Sequence, residues 1–117
     1  MKIKFANNVE QSYIEAFETE EYYNGASRRT LTFEIDPSDC DIQTLSDRCT
    51  EANLTSIELI NEEEGISNIY EGYVLKLQVG IESRLINADT NTYGDVVVLK
   101  LGKRTYIEQR LHELGLD

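Results

Sequence analysis

Tyr73-Val74-Leu75-Lys76-Leu77-Gln78-Val79-Gly80-Ile81 alternates without a break: Tyr73, Leu75, Leu77, Val79 and Ile81 share one register, and Val74, Lys76, Gln78 and Gly80 the other. Successive side chains of an extended chain point to opposite sides, so this stretch reads as a strand with one buried face. The extended segment runs from about Ile69 through Glu82, and Gly72 or Gly80 are the places where it can bend.

The same pattern recurs outward from it. Upstream, Ser56 to Ile60 reads as a strand, and Asn61-Glu62-Glu63-Glu64-Gly65 as the loop after it. Downstream, Asn87 to Gly94 is polar and turn-rich, and Asp95 to Leu101 is another strand with Val97, Leu99 and Leu101 on one face. Near the start, residues 2 to 5 form a short strand with Ile3 and Phe5 inward. Strands from about Tyr13 to Tyr23 and Arg28 to Ile35 flank Asn24-Gly25, the dipeptide that best tolerates positive φ at both centres of a type I′ hairpin. A two-residue turn there sets Glu21 opposite Arg28 and Glu20 opposite Arg29, pairs of opposite charge. It also sets Phe33 opposite Ala16 and Ile35 opposite Ile14 on an inner face with Leu31, leaving Tyr13 and Phe17 on the other face.

Asp36-Pro37-Ser38-Asp39 reads as a turn into a helix capped by Ser38 or Asp39, with Asp41 at the positive end of its dipole. Ile42, Leu45, Cys49 and Ala52 recur at helical spacing, and Asn53 is a stop. Thr105-Tyr106-Ile107-Glu108 is a capping box opening a second helix, with Ile107, Leu111 and Leu114 on one stripe and an end near Gly115. The expectation is an α+β fold: one mainly antiparallel sheet of about six strands carrying two short helices, ordered β-β-β-α-β-β-β-α, in a single domain over residues 1–117.

Composition narrows the function. The chain has 117 residues, 22 acidic and 11 basic, for a formal charge of −11. That field repels a nucleic-acid duplex or an anionic membrane surface, so neither is an expected partner. Met1-Lys2-Ile3-Lys4-Phe5 lacks the apolar run of a signal peptide and no window approaches the length of a membrane span, so cytoplasmic residence is expected. Cys40 and Cys49 are nine apart and suit two reduced thiols, Cys49 in the core, better than a redox or metal pair.

No arrangement of reactive side chains stands out. His112, the only histidine, sits near the negative end of the last helix, where a protonated imidazole is favoured, and no nucleophile or metal-ligand spacing accompanies it. Residues Asp89 to Asp95 imitate the start of a calcium loop. Tyr93 and Lys100 occupy the fifth and twelfth positions, where oxygen ligands belong, so a tight turn explains the segment better. Asp36, Asp39 and Asp41 cluster around Cys40, where three carboxylates suit a hard cation, but helix capping accounts for two of them and a structural role is expected. Walker, Gly-x-Gly-x-x-Gly, His-Glu-x-x-His and Gly-x-Ser-x-Gly motifs are absent, and no catalytic residue, cofactor or metal is expected.

Three stretches carry a resemblance: Asn24-Gly25-Ala26-Ser27-Arg28-Arg29-Thr30-Leu31-Thr32-Phe33, then Glu71-Gly72-Tyr73-Val74-Leu75-Lys76-Leu77, then Thr105-Tyr106-Ile107-Glu108-Gln109-Arg110-Leu111. In this order they resemble small uncharacterised proteins of phages and prophages of Gram-positive bacteria, encoded near tail or other virion genes. The resemblance implies a virion-structural or assembly protein without catalysis, with other virion or assembly proteins as partners, self-association into a homo-oligomer, and a virion-associated place. Tyrosine suits protein interfaces, because its ring buries apolar area while its hydroxyl tolerates water, and strand propensity also enriches it. The candidate contact residues are Tyr13, Phe17, Tyr22 and Tyr23 on the first hairpin, with Ile107 and Leu111 if the last helix is not fully docked. The alternative is a stand-alone ligand-binding module, for carbohydrate among other ligands, using Tyr70, Tyr93 and the 87–94 loop.

Overall fold

Gly72 stands at φ +85°, a left-handed conformation open to glycine, and there the chain leaves one sheet for another. The computed structural model describes Met1 through Asp117. Its strands are β1 (Lys2–Lys4), β2 (Glu10–Ser12), β3 (Glu15–Tyr23), β4 (Ala26–Ile35), β5 (Ser56–Asn61), β6 (Ile66–Glu71), β7 (Leu75–Asn87) and β8 (Thr92–Gly102). Its helices are α1 (Ile42–Arg48), α2 (Glu51–Leu54) and α3 (Tyr106–Glu113), and a 3₁₀ turn covers Pro37–Asp39.

The chain is therefore α+β and antiparallel, as expected, but the finer expectation fails. Eight strands form two four-stranded sheets, ordered β2-β1-β5-β6 and β3-β4-β8-β7, and the element order is β-β-β-β-α-α-β-β-β-β-α. Two elements account for the difference. Residues 69–82 are not one strand, because β6 and β7 belong to different sheets on either side of Gly72. Glu10–Ser12, which has no apolar alternation, is a strand because β1 pairs with it, Ile3 opposite Gln11.

The two sheets close one core. Ile3, Phe5, Ile57 and Leu59 come from the first sheet and its flank; Leu31, Phe33, Ile35, Val97, Leu99 and Leu101 come from β4 and β8. Leu45, Cys49, Leu54 and Tyr73 complete it. Each large apolar side chain so enclosed contributes about 1.5–3 kcal/mol.

The alternation at 73–81 does not mark one buried face. Lys76 pairs with Leu101 and Gln78 with Lys100, so Leu77 is an extra residue, a β-bulge. The bulge reverses sidedness. Lys76 falls on the helix-covered side, where its Nζ donates to Ser46 O and Oγ at 3.2 and 2.9 Å. Leu77 packs beside Gly102 on the opposite face, Val79 returns to the core, and Ile81 lies in the open.

The first helix is also corrected. Asp36 caps the 3₁₀ turn by accepting from Ser38 N at 2.9 Å, and Asp41 is the N-cap residue of α1 without a side-chain bond to the backbone. The helix breaks at Cys49. Asn53 Nδ2 donates to Arg48 O at 2.9 Å, and Thr50 caps a second short helix. Ala52 is consequently exposed, and Leu54 occupies the core place expected for it.

Candidate functional site

Arg28 is the buried charge around which one corner of the molecule is built. It is the third residue of β4 after the Asn24-Gly25 turn, and only 1% of its side chain is open to solvent. Its Nη1 donates to Glu108 Oε1 at 2.6 Å and to Lys103 O at 3.0 Å; Nη2 donates to Tyr23 O at 2.8 Å and Glu108 Oε2 at 3.2 Å; Nε donates to Tyr23 O at 3.2 Å. The forked guanidinium thus ties together three chain segments: the hairpin tip, the connection between β8 and α3, and α3 itself. Its carbon sits 5.8 Å from the centre of the Tyr23 ring, a cation–π contact.

Glu108 has a second duty. It completes the expected capping box, accepting from Thr105 N at 2.8 Å while Thr105 Oγ1 accepts from Glu108 N at 3.2 Å. The Arg28 hydrogen bonds, then that backbone N–H, hold its carboxyl down to about 2. Further along the corner, Arg104 pairs with Glu51 at 2.8 Å. His112 Nε2 lies 3.1 Å from Glu51 and its Nδ1 2.7 Å from Asp117, which lowers the Asp117 carboxyl.

These polar contacts set the roll of α3, and its apolar stripe is not used for packing. No residue of the helix is buried. Ile107 is 71% exposed, Leu114 62% and Leu111 38%. The ion pair and the cap hold the helix by its polar side, so it is not fully docked and this stripe stays in the open. The result is a helix tethered through Glu108 and His112 with an open apolar face.

The other candidate residues separate. Tyr23 shares the Arg28 corner, and neighbouring Tyr22, 77% exposed, projects from the opposite face of β3. Phe17 is exposed, six residues back on the Tyr23 side. Tyr13 is not free: it is half-buried, edge-on to Phe33 at 5.5 Å, because the chain turns before β3 and brings it to the core. Ile14, expected on the inner face, is exposed for the same reason.

The hairpin register is as expected, Glu21 opposite Arg28 and Glu20 opposite Arg29, with Asn24 and Gly25 at φ +48° and +83°. The ion pairs are not those expected. Glu21 is taken by Lys100 at 2.9 Å and Arg29 by Glu18 at 2.9 Å, freeing Arg28 for Glu108. Sequence reasoning found Glu108 through its capping box and read Arg28 only as part of a register. A partner eighty positions along leaves no local signal.

Tyr70 and Tyr93, the alternative ligand residues, lie in different sheets. Tyr70 is half-buried, edge-on to Tyr73 at 6.0 Å, and Tyr93 is a strand residue because β8 begins at Thr92 rather than Asp95. A cleft of about 340 Å³ between the start of β3 and β5–β6 has Tyr13 as its one aromatic, beside Glu15, Ala16, Leu59, Ile66 and Asn68. No three His, Cys, Asp or Glu side chains converge as a metal site requires. Both thiols are free, with Cys49 buried and pushed up to about 11 by that burial. No helix is long and apolar enough to cross a membrane. No protein-family model, curated protein or solved structure matches the chain.

Proposed function

We propose that the chain is a phage- or prophage-type structural or assembly protein, tail- or otherwise virion-associated, that works by docking other proteins. The observation that carries the docking reading is the open apolar stripe of α3, Ile107, Leu111 and Leu114, on a helix fixed by a buried ion pair. A helix already held in place loses little freedom on binding, and an amphipathic face of this spacing suits a groove on a partner. Tyr23, on the other arm of the same guanidinium, extends the contact area toward the hairpin. The virion context rests on the sequence resemblance.

The test is direct capture. The purified chain is mixed with each protein encoded by its flanking genes, and binding is followed by calorimetry. Capture of a tail or capsid component, weakened at least about tenfold by I107D/L111D with an unchanged melting temperature, supports the reading. Flanking genes that encode metabolic enzymes, or capture that ignores those two substitutions, refute it.

A further inference from the structure

The β7–β8 hairpin outruns the sandwich that supports it. β4 pairs with β8 only from Val97 to Gly102, whereas β7 follows β8 out to Asn87 and Thr92. From Glu82 to Val96 the sheet is therefore a two-stranded ribbon, and such ribbons are marginally stable alone. Ile81, Leu85 and Tyr93 lie on one face of it, Leu85 directly opposite Tyr93, and are 56%, 49% and 60% exposed.

β7 is also an open sheet edge, the last strand in its order. The other three edges are defended. β2 has only three residues, β3 carries Glu15, Glu18, Glu20 and Glu21, and six-residue β6 follows Glu62-Glu63-Glu64. A molecule of charge −11 repels its own copies everywhere except where charge is locally balanced. The exposed part of β7 is so balanced, and its order is self-complementary. Read antiparallel against itself about Ser83, Gly80-Ile81-Glu82-Ser83-Arg84-Leu85-Ile86 sets Glu82 against Arg84, Ile81 against Leu85 and Gly80 against Ile86, each pair twice.

We propose that β7 pairs antiparallel with β7 of a second copy about a two-fold axis at Ser83, joining two four-stranded sheets into one of eight. Glu82 and Arg84 lie 3.2 Å apart within their own strand and are both more than a third exposed, so each can take a further partner across the axis. Arg84 Nε also donates to Glu34 Oε2 at 2.6 Å, which fixes the ribbon root in the geometry that presents the edge. The Ile81–Leu85 pairs cover the apolar face that one copy leaves in water. This surface is distinct from the α3 corner, so the proposal stands or falls independently of the docking partner.

Sedimentation of the whole chain over a range of concentrations tests it, with thermal unfolding to confirm that each variant is folded. The wild type forms a dimer. E82R and R84E each place like charges at both facing positions and weaken it at least about tenfold. Mixing the two variants restores opposite charges at both positions and gives a one-to-one heterodimer. E82R leaves the Arg84–Glu34 contact in place and answers the question if R84E fails to fold. In a C40S/C49A background, S83C crosslinks to its copy on oxidation, because directly opposed antiparallel positions lie about 4.5–5.5 Å apart, within disulfide reach. A chain that stays monomeric, a dimer indifferent to E82R, or crosslinking through N87C in preference to S83C overturns the proposal.

Discussion

Arg28 Nη1 lies 2.6 Å from Glu108 Oε1, joining the second strand of the first hairpin to the last helix across eighty positions of sequence. The arginine side is dry and the glutamate side is about a third open. Removing one partner of such a pair leaves a charge in low dielectric, which costs more than the pair contributes when intact. Glu108→Gln is expected to lower unfolding free energy by about 2–3 kcal/mol in chemical denaturation. Arg28→Lys does not preserve stability, since an ammonium cannot serve Tyr23 O, Lys103 O and both carboxylate oxygens together. A loss below about 0.5 kcal/mol for both would mean that water replaces the bridge at no cost.

The same pair gives the fold a pH dependence of known sign. The Glu108 carboxyl titrates near 2 in the folded chain against an ordinary 4.5. The folded state then binds fewer protons than the unfolded one between those values. Its contribution is complete above 4.5 and is lost as pH falls toward 2. Asp36, Glu82 and Asp117 are lowered too and act in the same direction. The stability difference between wild type and Glu108→Gln isolates the one carboxyl: it should be constant near neutrality and shrink through the acid window. A difference that does not vary with pH there would show that the carboxylate charge is not what Arg28 requires.

Local chemistry was legible in the sequence and long-range chemistry was not. The Asn24-Gly25 turn, the Glu21–Arg28 register and the Thr105–Glu108 capping box are each specified within a few residues, and each is present. The core face of β4 and β8 followed from alternation of Leu31, Phe33, Ile35 with Val97, Leu99, Leu101. Splitting one sheet into two depended on Gly72, and glycine permits a reversal of direction without announcing it. Alternation misled at Leu75 and Leu77 because a bulge shifts register while leaving the pattern intact. Of the candidate site, exposure of Ile107 and Leu111 depended on the roll of α3, which a distant arginine sets. Tyr13 was misplaced because a bend before β3 turned it inward.

The two thiols should differ in reactivity. Burial pushes Cys49 up to about 11, and both burial and the neighbouring Asp41 raise half-buried Cys40 by less. The thiolate attacks a disulfide reagent and expels its chromophoric thiolate, so at mildly alkaline pH Cys40 should react slowly and Cys49 only after denaturant is added. The readout is chromophore release from the wild type compared with C40S. Rapid reaction of the folded C40S chain would show that the core opens around Cys49.

Gly102 and Gly80 lie in neighbouring strands of one sheet and should respond oppositely to alanine. A methyl group at Gly102 would meet Leu77 Cδ1 at 2.6 Å and Arg28 Cδ at 3.1 Å. Leu77 sits at the bulge and can turn its tip aside. Arg28 cannot follow, because its guanidinium is held by Tyr23, Lys103 and Glu108. Gly102→Ala should therefore cost about 1–3 kcal/mol, the range for an extra methyl in a filled space. The loss should be partly relieved by Leu77→Ala in the same chain, since these two groups share the volume. Gly80 has nothing within 4 Å of an added methyl and no left-handed φ, so Gly80→Ala should be neutral or slightly stabilising through the reduced freedom of the unfolded chain. Denaturation midpoints for these three variants and for Leu77→Ala alone decide the matter: equal effects at Gly102 and Gly80 would mean that the bulge does not bring Leu77 against β8.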